Sequence, residues 1–237
     1  MDDRSVPEWV ELLNELAGDL RHQRNTQATL NAIIAGAVDL IPGASWAGVS
    51  VVTDGEVQIE AATDPVVTTL DRLQVSQGDG PFAQALHRHR SVHVADMTAD
   101  SRWPALGRAA ADLGAHSALW FRLFFQAGRL AVLTIYGAES HAFAADSLVI
   151  GDVLAQHAAS ALIGAEAADQ FNQALASRDV IGQAKGLLMQ QRQLSGLQAF
   201  ELMIRTSQDA NIKLVDIARW VVAEHENALE SDTQSRG

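Results

Sequence analysis

Apolar residues along this chain recur first with a helical period. Trp9, Leu12, Leu13, Leu16 and Leu20 share one face, and Leu30, Ile33, Ile34, Ala37, Val38 and Ile41 repeat the pattern after a polar interval. Residues 8–41 therefore read as two helices, the second closed by Pro42-Gly43. The period then drops to that of a strand. WAGVSVVT (46–53) and EVQIEAA (56–62) flank Asp54-Gly55, a dipeptide that supplies the two positive-φ positions of a tight hairpin. A short helix is expected at 65–74, and another opens at Pro81 after Gly78-Asp79-Gly80, because proline suits a first turn whose N–H has no partner. SVHVAD (91–96) is a short strand, and 102–113 a helix with Pro104 near its start and Gly114 beyond its end. SALWFRLFF (117–125) and RLAVLTIY (129–136), joined by Gln126-Ala127-Gly128, form a second hairpin. Helices around five or six strands with hairpin connections predict an α+β domain on an antiparallel sheet.

From Asp146 the chain can stay helical without a proline to about Gln193. Leu154, Ala161, Ala168 and Leu175 fall at seven-residue intervals, with Ala158, Ala165 and Phe171 on the same flank, the seam of a parallel coiled coil between two chains. Residues 146–163 fit equally well as an amphipathic helix on the chain's own sheet. Three helical patterns then follow, marked by Ile181, Ala184 and Leu188, by Leu197, Phe200 and Ile204, and by Leu214, Ile217, Ala218, Val221 and Val222. Ser195 and Gln198 make a capping-box pair that starts the second, and Asn211 is expected to cap the third. Each stripe is too narrow to be buried alone, so the three predict a compact unit of about 50 residues, marginal in size and in need of a neighbour or a second chain.

Charge separates the tail from the rest. Residues 177–225 carry six Lys+Arg against five Asp+Glu, whereas residues 1–176 carry ten against 21, in a chain of net charge −12. Arg178, Lys185 and Arg192 stand seven apart, nearly in line on one helix face. Arg205, Ser207, Gln208, Asn211 and Lys213 gather at the next helix junction. Aligned cations alone describe a solvated face as readily as a polyanion site. With so acidic a chain, any contact to nucleic acid must be local.

Other chemistry is sparse. The chain has no cysteine, which removes disulfides, thiolate catalysis and cysteine metal sites. It lacks GxxxxGK[ST], HExxH and GxSxG, and Gly78-x-Gly80 lacks the third glycine of a dinucleotide loop, so no catalytic or metal-binding residue is assigned and no enzyme is expected. His87 and His89 read as residues of a surface helix. His93 and His116, on or beside strands, are either pocket or haem ligands or structural histidines, and Trp46, Trp103 and Trp120 either pocket or core. No apolar run is expected to reach the length of a membrane span, and the acidic start MDDRSVPEWV is unlike a secretory leader, so a soluble cytoplasmic protein is expected.

SRDVIGQAKGLLM (177–189) with AFELMIRTSQDANIKLVDIA (199–218) closely resembles the ANTAR family of RNA-binding antitermination modules. The resemblance implies a three-helix unit that binds a pair of hairpins, each with a six-nucleotide loop, in a nascent leader transcript and so prevents a terminator from forming. It makes Arg178, Lys185, Arg192, Arg205, Ser207, Gln208, Asn211 and Lys213 the candidate RNA-binding residues. Arg205, Gln208 and Asn211 suit unstacked bases, and Arg178, Lys185, Arg192 and Lys213 suit phosphates. So few cations give weak binding per copy, so a homodimer engaging both hairpins is expected.

QGDGPF (77–82), SVHVADMTADSRWP (91–104), the hairpin at 117–136 and Phe143-Ala144-Ala145-Asp146 resemble a GAF domain over residues 26–163. That implies a small-molecule pocket on one face of the sheet. Phe82 stands where related sequences often carry cysteine, and the Asn-Lys-x-x-Phe signature of cyclic-nucleotide binders is missing; without a thiol no covalent bilin is held, and no cofactor is assigned. The expected organisation is an N-terminal helix (1–25), a GAF sensor (26–163), a coiled-coil linker (164–176), an ANTAR unit (177–228) and a flexible tail (229–237). Two functions fit: a sensory RNA-binding antiterminator, or a protein-interaction or ligand-binding signalling module that never touches RNA.

Overall fold

The computed structural model describes residues 8–21, 23, 25–78, 80–84 and 89–234. The chain forms two compact units divided between Ala167 and Ala168.

In the first unit, helices α1 (Glu8–Arg21) and α2 (Thr26–Leu40) precede strands β1 (Trp46–Thr53) and β2 (Glu56–Ala62). Helices α3 (Pro65–Gln77) and α4 (Pro81–Gln84), strand β3 (Ser91–Val94), helix α5 (Pro104–Asp112), and strands β4 (Ser117–Gln126) and β5 (Arg129–Gly137) follow. The sheet has five strands in the order β2-β1-β5-β4-β3, every neighbouring pair antiparallel. Asp54 and Gly55 both adopt positive φ (51° and 80°), the geometry that matches a two-residue hairpin to strand twist. The sequence places these five strands to within two residues of their ends.

Strand alternation gives the sheet two buried faces. On one, Ile33, Val49, Leu133 and Ile135 pack with Leu13 and Leu20 of α1 and with Ile150, Leu154, Ala158 and Leu162 of the long helix α6 (Ala145–Arg192). Helix α1 thus contributes to the core of the first unit. On the other, Val67 and Leu70 of α3, Phe82 of α4 and Leu106 of α5 pack against Trp120, Val132 and Tyr136. Close approach explains Gly107: a Cβ there would fall 2.0 Å from the Met97 carbonyl oxygen. Helix α6 is tied to the sheet's hairpin end by Arg129, whose guanidinium donates to both carboxylate oxygens of Glu166 at 3.1 and 3.3 Å.

These contacts decide between two expectations for α6. Leu154, the first residue of the heptad seam, is fully buried in the core of the first unit, so residues 146–163 lie on their own sheet. Beyond them the apolar residues are bare: Phe171 is 63 % exposed and Leu175 44 %. One further expectation is corrected. By length and composition α6 is long and apolar enough to cross a membrane, with a mean hydropathy of 1.4 over 18 residues, because the Gly, Ser, Gln and His that interrupt its apolar residues add no charge. A third of that window, 33 %, is buried inside the fold.

The second unit comprises the end of α6 with α7 (Gly196–Ala210) and α8 (Leu214–Gln234). Ala184 and Leu188 pack with Ala199 and Met203 and with Ile217 and Ala218. The buried stripe of α7 is therefore Ala199 and Met203, flanked by Phe200, whereas Leu197 is 69 % exposed. Leu197 stands in the first turn and faces away from the core, so the predicted Leu197/Phe200/Ile204 stripe is turned by one residue. Residues 229–234, expected as tail, continue α8, and 235–237 lie outside the described residues.

Candidate nucleic-acid interface and sensor cavity

Two turns shape the polar surface of the second unit. Gln193 leaves α6 with positive φ (52°), and Ser195 then starts α7 through a reciprocal capping box: its hydroxyl accepts from the Gln198 backbone N–H, and its own N–H donates to the Gln198 side-chain Oε1. At the other end Asn211 is left-handed (φ 53°, ψ 41°), its N–H donating to the Gln208 and Ser207 carbonyls. Asn211 thus closes α7 instead of capping α8, because asparagine tolerates the left-handed conformation a helix stop requires. Ser207 serves the same turn, its hydroxyl donating to the Ile212 carbonyl.

Arg178 and Arg192 are exposed and Lys185 half-buried. Fourteen residues separate the outer two, about 21 Å of helix at 1.5 Å per residue. Among the described residues none of the three makes an ion pair. The stem of Lys185 passes over the start of α7, with Cε and Nζ each 3.9 Å from where a Gly196 Cβ would be. Its ammonium thus lies beside the positive end of the α7 dipole, an arrangement that favours an anion and repels another cation. Arg192 and Arg205 line one open cleft of about 530 Å³ with Leu194, Gln198, Glu201 and Leu202. Arg205 is held loosely by Glu201 at 3.9 Å, a solvent-exposed pair one turn apart of small energetic worth. Gln208, Asn211 and Lys213 are exposed at the α7–α8 turn. The eight candidates therefore fall into the α6 row, the cleft beside α7 and the far turn.

In the first unit, a cavity of about 440 Å³ opens where the two hairpin turns meet the end of α3, lined by Val52, Val75, Phe82, Phe125 and Leu130 and rimmed by Asp54 and three glycines. Further along the same sheet face lies a polar group that the sequence reading passed over. Asp71 and Gln74 continue the buried stripe of α3 begun by Val67 and Leu70. The Asp71 carboxylate accepts from the Ser50 hydroxyl at 2.6 Å and from the Thr134 and Tyr136 hydroxyls at 3.4 Å each. Burial pushes Asp71 up to about 7, against the lowering effect of those hydrogen bonds. The Tyr136 hydroxyl is raised well above its ordinary value, by burial first and by the Asp71 charge second. The signal available in sequence was position: Asp71 stands four residues after Val67, on the apolar face.

The remaining candidates are placed plainly. Trp103 and Trp120 are core, and neither they nor Trp46 line the cavity. His93 is half-buried edge-on to Phe143 at 6.5 Å, on the face opposite Val92 and Val94 and so away from the cavity. Burial holds it below the ordinary histidine value, with Arg102 and His141 adding to the effect. His116 joins the sheet's end by backbone, its N–H donating to Gly137 and its carbonyl accepting from Met97. His89 is exposed outside any helix, and His87 lies outside the described residues.

The architecture is a five-stranded antiparallel sheet covered on both faces, with a long helix that runs on into a three-helix unit. The chain belongs to the GAF domain family, whose profile matches residues 23–163, and an ANTAR domain follows at residues 169–222. GAF sensor and ANTAR RNA-binding antitermination regulator are thus both present, the composition of a regulatory protein. Among solved structures, the chain is similar to the GAF domain of a phosphoenolpyruvate-protein phosphotransferase from Coxiella burnetii (20 % identity, TM-score 0.53, 68 % of this chain and 96 % of that one). It is also similar to a bacteriophytochrome from R. palustris (12 % identity, TM-score 0.62, 86 % and 48 %). A third is free methionine-R-sulfoxide reductase from Neisseria meningitidis, solved with its substrate (17 % identity, TM-score 0.53, 68 % and 91 %). At these identities the likeness concerns the fold. Comparison with curated proteins found no match.

Proposed function

We propose that this chain is a cytoplasmic sensory regulator whose ANTAR domain binds paired six-nucleotide-loop hairpins in nascent RNA and prevents termination, under the control of a small-molecule signal at the GAF domain. The observation that carries the reading is the α6 row, in which Arg178, Lys185 and Arg192 stand without acidic partners among the described residues of an otherwise acidic chain. Cations left unpaired along about 21 Å of helix suit the phosphates of a folded RNA. Gln208 and Asn211 at the far turn, with Arg205 in the cleft, supply donors for loop bases, and Lys213 beside them a cation for phosphate; Ser207 acts by shaping that turn. The 440 Å³ cavity is the candidate ligand site.

Pairing of two chains fits the same picture. Phe171 and Leu175 expose large apolar surface on α6 just after the sensor core ends, where the predicted linker (164–176) lies. A homodimer formed there brings two RNA-binding units to two hairpins and raises avidity through effective concentration. The decisive measurement is binding of the full chain to a paired-hairpin RNA against a loop-scrambled control, at stated salt. Lys185→Ala with Arg205→Ala is expected to abolish specific binding at unchanged helicity and oligomeric state. Equal affinity for both RNAs, or retention by the double variant, overturns the reading.

A further inference from the structure

A large aromatic side chain stands unburied on the three-helix core of the second unit. Trp220 is 62 % exposed, although an indole buries more apolar area than almost any other side chain when a partner exists. It falls off the stripe that α8 turns inward through Ile217, Ala218 and Val221. Trp220 instead walls a groove of about 280 Å³ whose floor is Leu188 and Val221 and whose rim is Gln191, Arg192, Glu224 and His225. Gln191 and His225 join across it at 3.2 Å, bracing α6 against α8.

Arg192 lines this groove and also the cleft that holds Arg205. The indole is therefore within one side chain of the cationic row. The groove is small, below the range typical of drug-sized sites, and fits one planar ring system better than a helix or strand of a protein partner. Its charges are polarised. Arg192 marks one side, while Glu224, one turn beyond Trp220, repels a phosphate from the other. A planar group carrying a phosphate on one side only is the complement of that arrangement.

Resting on the RNA-binding reading above, we propose that Trp220 and Arg192 form a clamp in which the indole stacks an unpaired base of the bound hairpin and Arg192 holds its adjoining phosphate. Unstacked loop bases are the part of RNA open to such contact, and aromatic faces take them with little regard to sequence. Trp220 thus contributes affinity that salt does not weaken, and Arg192 affinity that it does.

The test titrates hairpin RNA into the full-length protein and its variants over a range of salt. Trp220→Ala is expected to weaken binding about tenfold or more, with an unchanged slope of log affinity against log salt, and Trp220→Phe to restore most of it. Arg192→Ala is expected to weaken binding and to flatten that slope by about one phosphate contact. Trp220→Ala binding as tightly as wild type overturns the clamp and leaves the RNA-binding reading standing. A loss of affinity that tracks dissociation of a dimer in sedimentation identifies the indole as a protein contact and overturns the clamp. Absence of hairpin binding by the wild-type chain takes down both.

Discussion

In the first unit a sheet is covered on both faces, and its two cores bury residues as large as Trp120, Tyr136, Phe121 and Phe82. Among the described residues the second encloses Ala184, Leu188, Ala199, Met203, Ile217 and Ala218 at its centre. Half of those six are alanines, so little apolar area leaves water there. The first unit buries the Asp71 carboxyl among its apolar residues. In the second, no polar side chain is buried among the described residues, and its turns are held by caps.

The sharpest way to break that contrast is to remove the sensor's buried titratable carboxyl group. Asp71 is pushed up to about 7 by burial, whereas in an unfolded chain it has the ordinary carboxylate value of about 3.9. Between those values the folded sensor holds a proton that the unfolded chain has lost. Its contribution to stability is therefore complete below about pH 4 and lost as pH rises to about 7, a swing on the order of 4 kcal/mol. Asp96 and Asp100, held below the usual range by hydrogen bonds from Thr98 and Arg102, act in the opposite sense and only at lower pH. Asp71→Asn is expected to flatten the sensor's denaturation midpoint between about pH 5 and 8 and to raise it at the upper end. The same pH dependence in variant and wild type would assign the proton to another group.

A cavity in the smaller core costs less in free energy and more in structure. Met203→Ala removes the longest of the six central side chains, a loss of about 2–5 kcal/mol on the usual scale of buried truncations. A unit of this size holds little more than that. The α7 and α8 amides are expected to lose hydrogen-exchange protection while the sensor strands keep theirs. Loss of protection in both units together would show that they fold as one.

The strands were legible because alternation, Asp54-Gly55 and the proline positions all point the same way. The cap at Ser195 was legible for a similar reason, since both partners of the box lie within four residues. What escaped was decided by partners distant in sequence. Asp71 is buried because Ser50 and Thr134, on two other strands, supply its hydrogen bonds. Leu154 fits a heptad as well as it fits the sheet, and only the fold chooses the sheet. Asn211 was assigned to the wrong helix because a left-handed stop and an N-cap favour the same residue type. Trp220 was passed over inside an apolar run, although its angle around α8 sets it apart from Ile217, Ala218 and Val221.

The smallest effect probes the reliance of the output unit on its caps. In the Ser195–Gln198 box, two backbone N–H groups that would otherwise lack partners at the start of α7 are satisfied reciprocally. Ser195→Ala removes one acceptor and is expected to cost about 1 kcal/mol, whereas Ser195→Gly is expected to cost only a few tenths. In the sensor, Asp64 caps α3 through the Val66 N–H, and Asp64→Ala removes the equivalent bond. Thermal unfolding followed separately for each unit should show the Ser195 variant shifting its own transition by more degrees than the Asp64 variant shifts the sensor's. A given loss of free energy displaces the midpoint of a smaller cooperative unit further. Equal shifts would mean that the second unit melts as part of a larger body, and the contrast between the two cores would then describe packing alone.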